Sequence, residues 1–218
     1  MKHKVLYLLF LISVGCFGQN CFCSKSMFYD STKTIPDSIF IFSNNKKIML
    51  CGFKEKIKSE TFFSEFILQI CGNDNEVDFW NATQTCKVSM EKDTLKVVEI
   101  KNLPTGINRS YCITEWRIEK IFFADQTLTI HYDFQINPNI RKYSEDEIKT
   151  TIAEFKSASG KMDDYKIEIA NRLFISILSG SKKAKECFNS FKRKFGPLDG
   201  AHAEEFRDLE NMISEFEL

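Results

Sequence analysis

Around Asn137-Pro138-Asn139 the hydrophobic pattern of this chain changes its period, and that change constrains the fold more than any other feature. Before it, bulky and β-branched residues alternate with polar ones and are broken by short polar clusters, the signature of strands. Strands are expected over 38–42, 47–53, 62–71, 84–90, 94–100, 111–123 and 127–136. Turn signals separate them at Asn44-Asn45, Gly72-Asn73-Asp74-Asn75, Glu91-Lys92-Asp93 and Pro104-Thr105-Gly106. Consecutive strands with short connections predict an antiparallel meander, because parallel neighbours need long crossovers.

After residue 143 the period is helical. Ser144 with Glu147 makes a capping box, and Ile148, Ile152 and Phe155 share one face. A second helix, over 164–179, carries Ile167, Ala170, Leu173, Phe174, Ile177 and Leu178, and Gly180 ends it. Ser181 caps a third, with Ala184, Cys187, Phe188, Phe191 and Phe195 inward, before Gly196-Pro197. Asp199 caps a fourth, with Phe206, Leu209, Ile213 and Phe216 inward. The expected fold is therefore α+β: an antiparallel β-rich part of about seven strands, then a bundle of about four short helices. The expected division is 19–36 as a cysteine-containing extension, 37–136 as the β-rich subdomain, 137–143 as a linker and 144–218 as the helical subdomain.

The first eighteen residues read as a secretory signal. Lys2 and Lys4 precede an uncharged apolar run over 5–14, and small residues follow at Gly15 and Gly18. A ten-residue apolar run is about half of what a membrane-spanning helix needs, so no transmembrane anchor is expected. Cleavage after Gly18 leaves Gln19 as the new N-terminus. The alternative is lipidation: Ser13-Val14-Gly15-Cys16 resembles the lipobox of bacterial lipoproteins, which implies a lipid anchor on Cys16. Either route delivers the chain to the periplasm, the cell envelope or the outside.

Seven cysteines follow the signal: Cys21, Cys23, Cys51, Cys71, Cys86, Cys112 and Cys187. An exported protein is free to form disulfides, and an odd count leaves a thiol over. Cys187, on a helix stripe, is the expected free one; the other six are the disulfide candidates, with fifteen possible pairings. Cys21-Phe22-Cys23 resembles the Cys-x-Cys start of the netrin/tissue-inhibitor module. That resemblance implies an OB-type barrel and a protease inhibitor whose N-terminal cysteine chelates zinc. The alternative is that both cysteines tether the N-terminus to the sheet.

Charge excludes some partners. Without residues 1–18 the chain holds 28 basic and 30 acidic residues, a balance that gives no electrostatic reason to bind nucleic acid. The third helix is basic through Lys182, Lys183, Lys185, Lys192, Arg193 and Lys194. The fourth is acidic through Glu204, Glu205, Asp208, Glu210, Glu215 and Glu217, and the two are expected to neutralise each other. Asp30-Ser31-Thr32, Asp37-Ser38-Ile39 and Asp93-Thr94-Leu95 resemble O-glycosylation sites of some exported bacterial proteins, although turn and strand-start chemistry places the same residues there.

No acyl-transfer, zinc-protease, nucleotide or dinucleotide fingerprint is present. No catalytic, cofactor or metal residue is therefore named. His202 is expected in the first turn of the fourth helix, facing solvent. His131 is expected opposite Glu119 in a last hairpin whose partners sum to 250, with Phe134 opposite Trp116 and Arg117 opposite Asp133. The expected function is an exported, non-enzymatic binding or structural module that works through protein or small-ligand contacts. The alternatives are the inhibitor, or an enzyme whose site is assembled from distant residues.

Overall fold

A computed structural model of the chain describes residues 21–23, 35–57, 59–72, 76–124, 129–159 and 162–216. The signal, its cleavage point at Gly18 and Gln19, the lipidation alternative at Cys16 and Asp30-Ser31-Thr32 lie outside these residues. Seven strands form one antiparallel sheet: β1 (Ser38–Ile41), β2 (Lys47–Ile57), β3 (Glu60–Ile70), β4 (Glu76–Glu91), β5 (Thr94–Leu103), β6 (Cys112–Phe123) and β7 (Ile130–Ile136). Their order in the sheet is their order in the chain. This is the expected meander, and it differs from the Greek-key OB-type barrel that the Cys-x-Cys resemblance implies.

Alternation builds two apolar layers on the sheet. One face buries Ile48, Leu50, Phe66, Leu68, Trp80 and Leu95, with Val97 and Ile121 beside them. The other buries Met49, Cys51 and Ile67 against Cys23 and Cys71. Bulges at Gly52/Phe53, Ser64/Phe66 and Glu99/Ile100 coil the sheet. The coiling brings Phe42, after β1, into edge contact with Phe123 of β6 at 4.7 Å. It also lets the Tyr132 hydroxyl of β7 donate to the Val77 carbonyl of β4 at 2.8 Å.

Strand β4 runs longer than its sequence signal. Its first half pairs with β3 alone, and pairing with β5 begins only at Thr85, opposite Ile100. The strands therefore diverge where Asn81 and Gln84 face the end of β5, and a groove opens there. The stretch reads poorly as a strand because both faces carry apolar residues. Trp80 stacks on Phe66 at 4.6 Å, whereas Phe79 is about half exposed.

The helices are α1 (Glu145–Ser157), α2 (Asp163–Leu178), α3 (Lys182–Asn189), α4 (Phe191–Phe195) and α5 (Gly200–Glu215). The capping box at Ser144 forms as expected, with Glu147 N–H donating to Ser144 Oγ and Ser144 N–H to the Glu147 carboxylate. Gly180, at φ +89°, ends α2, and Ser181 accepts from Ala184 N–H to start α3. The expected third helix breaks at Ser190 into α3 and α4. Helix α2 is the hub. It is buried on most sides, at Ile169, Ala170, Leu173, Phe174 and Ile175, as a helix apolar nearly all round must be. It packs against α1, α3 and α5. Its Phe174 also meets Trp116 of β6, so the helical core includes Leu103 and Trp116 from the sheet.

The expected register of the last hairpin is wrong. Arg117 lies opposite Ile136, Glu119 opposite Phe134, Lys120 opposite Asp133 and Phe122 opposite His131. Partners sum to 253, a shift of three. The ladder closes with Phe123 opposite Ile130, so six residues, 124–129, connect the strands where three were expected. Separately, a bulge opposite Glu99/Ile100, where Ile100 pairs with Glu115 and Glu99 with Arg117, leaves Trp116 extra. A period of two counted across Trp116 fails, because the extra residue reverses which side chains face inward. Trp116 turns to the helices, while Ile121 fills the sheet core. The ion pair that forms is Lys120 with Asp133, at 3.0 Å. Residues 125–128, including the expected loop and Leu128, lie outside the described residues.

Candidate functional site

A cleft of about 480 Å3 lies where the sheet meets α2 and α5. Lys101 and Asn102 of β5 and Tyr111, just before β6, form its floor; Glu168 and Asn171 of α2 and His202 and Glu205 of α5 form its walls. Smaller hollows of about 280 and 110 Å3 continue it along α5. The larger shares Lys101 and Glu205 with it, and the two share Asn81, Gln84, Glu99 and Asp208 with each other. The result is one groove between α5 and the diverging strands β4 and β5. Its α5 wall runs from Ala201 to Glu215, about 20 Å at 1.5 Å per residue.

Asn171 is 3 % exposed, and its Nδ2 donates to Glu205 Oε1 at 2.8 Å. A carboxylate only accepts, so this bond fixes which end of the amide faces Glu205. Asn171 Oδ1 is left buried with no hydrogen-bond partner, and the buried Tyr111 hydroxyl lies against the Asn171 side chain. Burial, followed by the nearby Glu168 carboxylate, pushes Tyr111 up to about 12, so its hydroxyl stays protonated. Lys101 is drawn aside, its ammonium 4.8 Å over the Trp116 ring. His202 does start α5, as expected, but instead of facing solvent alone its Nε2 lies 2.8 Å from Asp164 Oδ1. Nothing in the spacing of these residues marks them: they come from four elements and meet only when α5 lies across the sheet.

The acidic face of α5 is only partly neutralised by the basic helix. Lys192 reaches Glu210 at 2.6 Å, whereas Glu204, Glu205 and Asp208 line the groove. Glu119, expected on a wet face against His131, is instead 4 % exposed, with one carboxylate oxygen unpartnered. Burial, then the neighbouring Asp78 carboxylate, raises it to about 8, with Arg117 opposing. His131 is exposed and stacks on Phe122 at 5.7 Å.

Two disulfides tie the N-terminus down, Cys21 with Cys71 and Cys23 with Cys51, which is the tether reading of Cys-x-Cys. Cys86 and Cys112, counted among the disulfide candidates, carry free thiols, as Cys187 does. Cys86 and Cys187 are buried. Cys112 is exposed in a second cleft of about 530 Å3, 3.0 Å from Thr105 Oγ1. Cys86 lies on the inward face of the sheet among Phe63, Phe66 and Leu95. Among the described residues no group of three or more His, Cys, Asp or Glu side chains is arranged to hold a metal ion, and no helix is long and apolar enough to cross a membrane.

The fold and the groove together define an α+β protein: a coiled seven-stranded meander with a helical layer across one end. Compared with protein-family models, curated proteins and solved structures, the chain finds no match.

Proposed function

We propose that this is an exported, disulfide-stapled binding module whose ligand lies in the groove between α5 and the diverging strands β4 and β5. The observation that carries the reading is Asn171, a buried amide oxygen without a partner in a polar cleft. Leaving such a group unpaired costs about 1–3 kcal/mol, a cost that a bound ligand's donor removes. The two disulfides and the signal-like N-terminus support export. A rigid sheet floor and a helical wall supply a preformed surface, as binding clefts require.

The His202–Asp164 pair carries a second reading, a hydrolytic enzyme in which His202 activates water beside Glu205. One experiment separates the two. Mature protein beginning at Gln19 is used to capture partners from envelope extract, in parallel with an Ala201→Trp variant that fills the groove at an exposed helix position. A partner held by the wild type and lost by the variant supports the binding module. Equal capture by both, or turnover in a hydrolase panel that Asp164→Asn abolishes, overturns it.

A further inference from the structure

We propose that the deep end of the groove, around Tyr111, Asn171 and Glu205, is a subsite for a positively charged nitrogen head, a primary ammonium or a guanidinium. This rests on the groove being the binding site and names the chemistry it selects. Asn171 Oδ1 is buried and unpartnered, and the Tyr111 hydroxyl, which the Asn171 side chain approaches, lines the same cleft. The Asn171 oxygen only accepts, so the missing ligand atom is an N–H or O–H donor.

Charge narrows the donor further. Asp164, Glu168 and Glu205 ring the cleft. Glu168 is partly matched by Arg172 at 3.3 Å, and Asp164 by His202. Glu205 has a different partner: its described hydrogen bond is to the neutral Asn171 amide. The lysine of the cleft leans on Trp116 and does not neutralise it. A carboxylate held by an amide, next to an unpaired carbonyl oxygen and a phenol that stays protonated, suits a cation with several N–H donors. An ammonium brings three donors and a guanidinium five. An anion would meet three carboxylates, and a neutral amide would leave Glu205 uncompensated.

The same head group occurs on free amines and on the lysine and arginine side chains of a peptide. The α5 wall, continuing from Glu205 to Glu215, about 15 Å past the subsite, has room for the rest of a peptide. Along that wall Glu204 and Asp208 keep the sign negative.

The test is calorimetric titration of the mature protein with agmatine, with a Gly-Arg-Gly amide peptide and with its citrulline counterpart, which keeps the shape and loses the charge. Binding of agmatine and the arginine peptide, at least tenfold tighter than the citrulline peptide, is expected. Weakening of at least tenfold in Glu205→Gln, with an unchanged melting temperature, is expected as well. Asn171→Asp serves as the second variant; its added charge abolishes the Glu205 hydrogen bond while nearly preserving volume. Agmatine and peptide binding equally assigns a head-group site alone, and tighter peptide binding assigns a site that also reads the backbone. Equal affinity for arginine and citrulline peptides, or no binding of any cation, overturns the subsite. If Ala201→Trp still abolishes partner capture in that case, the groove stands and only its charge preference falls.

Discussion

At the scale of single residues, the most consequential side chain outside the groove is Glu119. Its burial beside Asp78 raises its pKa from 4.5 to about 8. Cys86, Tyr132, Glu99 and Arg117 lie on the strands around it, and Glu215 approaches from α5. The folded protein therefore holds a proton there that the unfolded chain releases near pH 4.5. Its contribution to stability is complete below that pH and is lost as pH rises through about 8. Glu119→Gln keeps the neutral form at every pH. It should flatten that decline and stabilise the protein at pH 8.5 by up to about 5 kcal/mol, since the rise from 4.5 to about 8 is worth about 1.4 kcal/mol per pKa unit. Urea midpoints of wild type and variant at pH 5 and 8.5 check this; an equal difference at both pH values would show that Glu119 does not hold the proton.

At the scale of elements, the β2–β3 pair depends on one absent side chain. Gly52 sits at a bulge opposite Phe66, and a Cβ there would lie 2.2 Å from Phe66 Cβ and 2.7 Å from its Cα. The neighbour is backbone-anchored and stacked on Trp80, so it has nowhere to move. Gly52→Ala should cost about 3 kcal/mol, the upper end for overpacking, and lower the urea midpoint accordingly. Loss of the near-ultraviolet signal of Trp80 would accompany it, and an unchanged midpoint would mean that the bulge opens freely. Helix elements rest on more local devices. The Ser144–Glu147 box and the Gly180 stop work within one turn of chain, so they are readable from the sequence.

At the scale of the whole molecule, the sheet and the helical layer are joined by Trp116 and Leu103, while the two disulfides staple the N-terminal segment to the sheet. The Cys23–Cys51 link closes 28 residues of chain, for which the chain-entropy account gives about 3 kcal/mol. Replacing both cysteines by serine should lower the melting temperature of the oxidised protein by several degrees while leaving the helical circular dichroism in place. An unchanged melting temperature would mean that β2 and β3 hold the sheet without the staple. The proposed division at 137–143 is bridged by buried Asn137, Ile140 and Tyr143. Tyr143 donates to the Pro104 carbonyl at 2.6 Å, fixing the start of the helical part onto the end of β5.

What the sequence determined by itself was whatever a short window of chain decides: the change of period at residue 137, the meander, the helix stripes and their caps. These follow from side-chain alternation, helix periodicity and capping chemistry, which act between residues a few positions apart. Only the tertiary structure decided how β7 pairs with β6, because the ladder closes at Phe123 opposite Ile130, three positions away from the expected register, without disturbing the local pattern. It likewise decided the length of β4, whose apolar residues fall on both faces, Trp80 in the core and Phe79 about half exposed. The pairing of Cys21 with Cys71 and of Cys23 with Cys51 depends on which cysteines the folded sheet brings within reach, so spacing left fifteen schemes open. The cleft of Tyr111, Asn171, His202 and Glu205 gathers side chains up to 94 positions apart in sequence. Its chemistry arises from bringing the buried Asn171 amide beside these side chains as α5 settles over the sheet, an arrangement no segment possesses before the chain has folded.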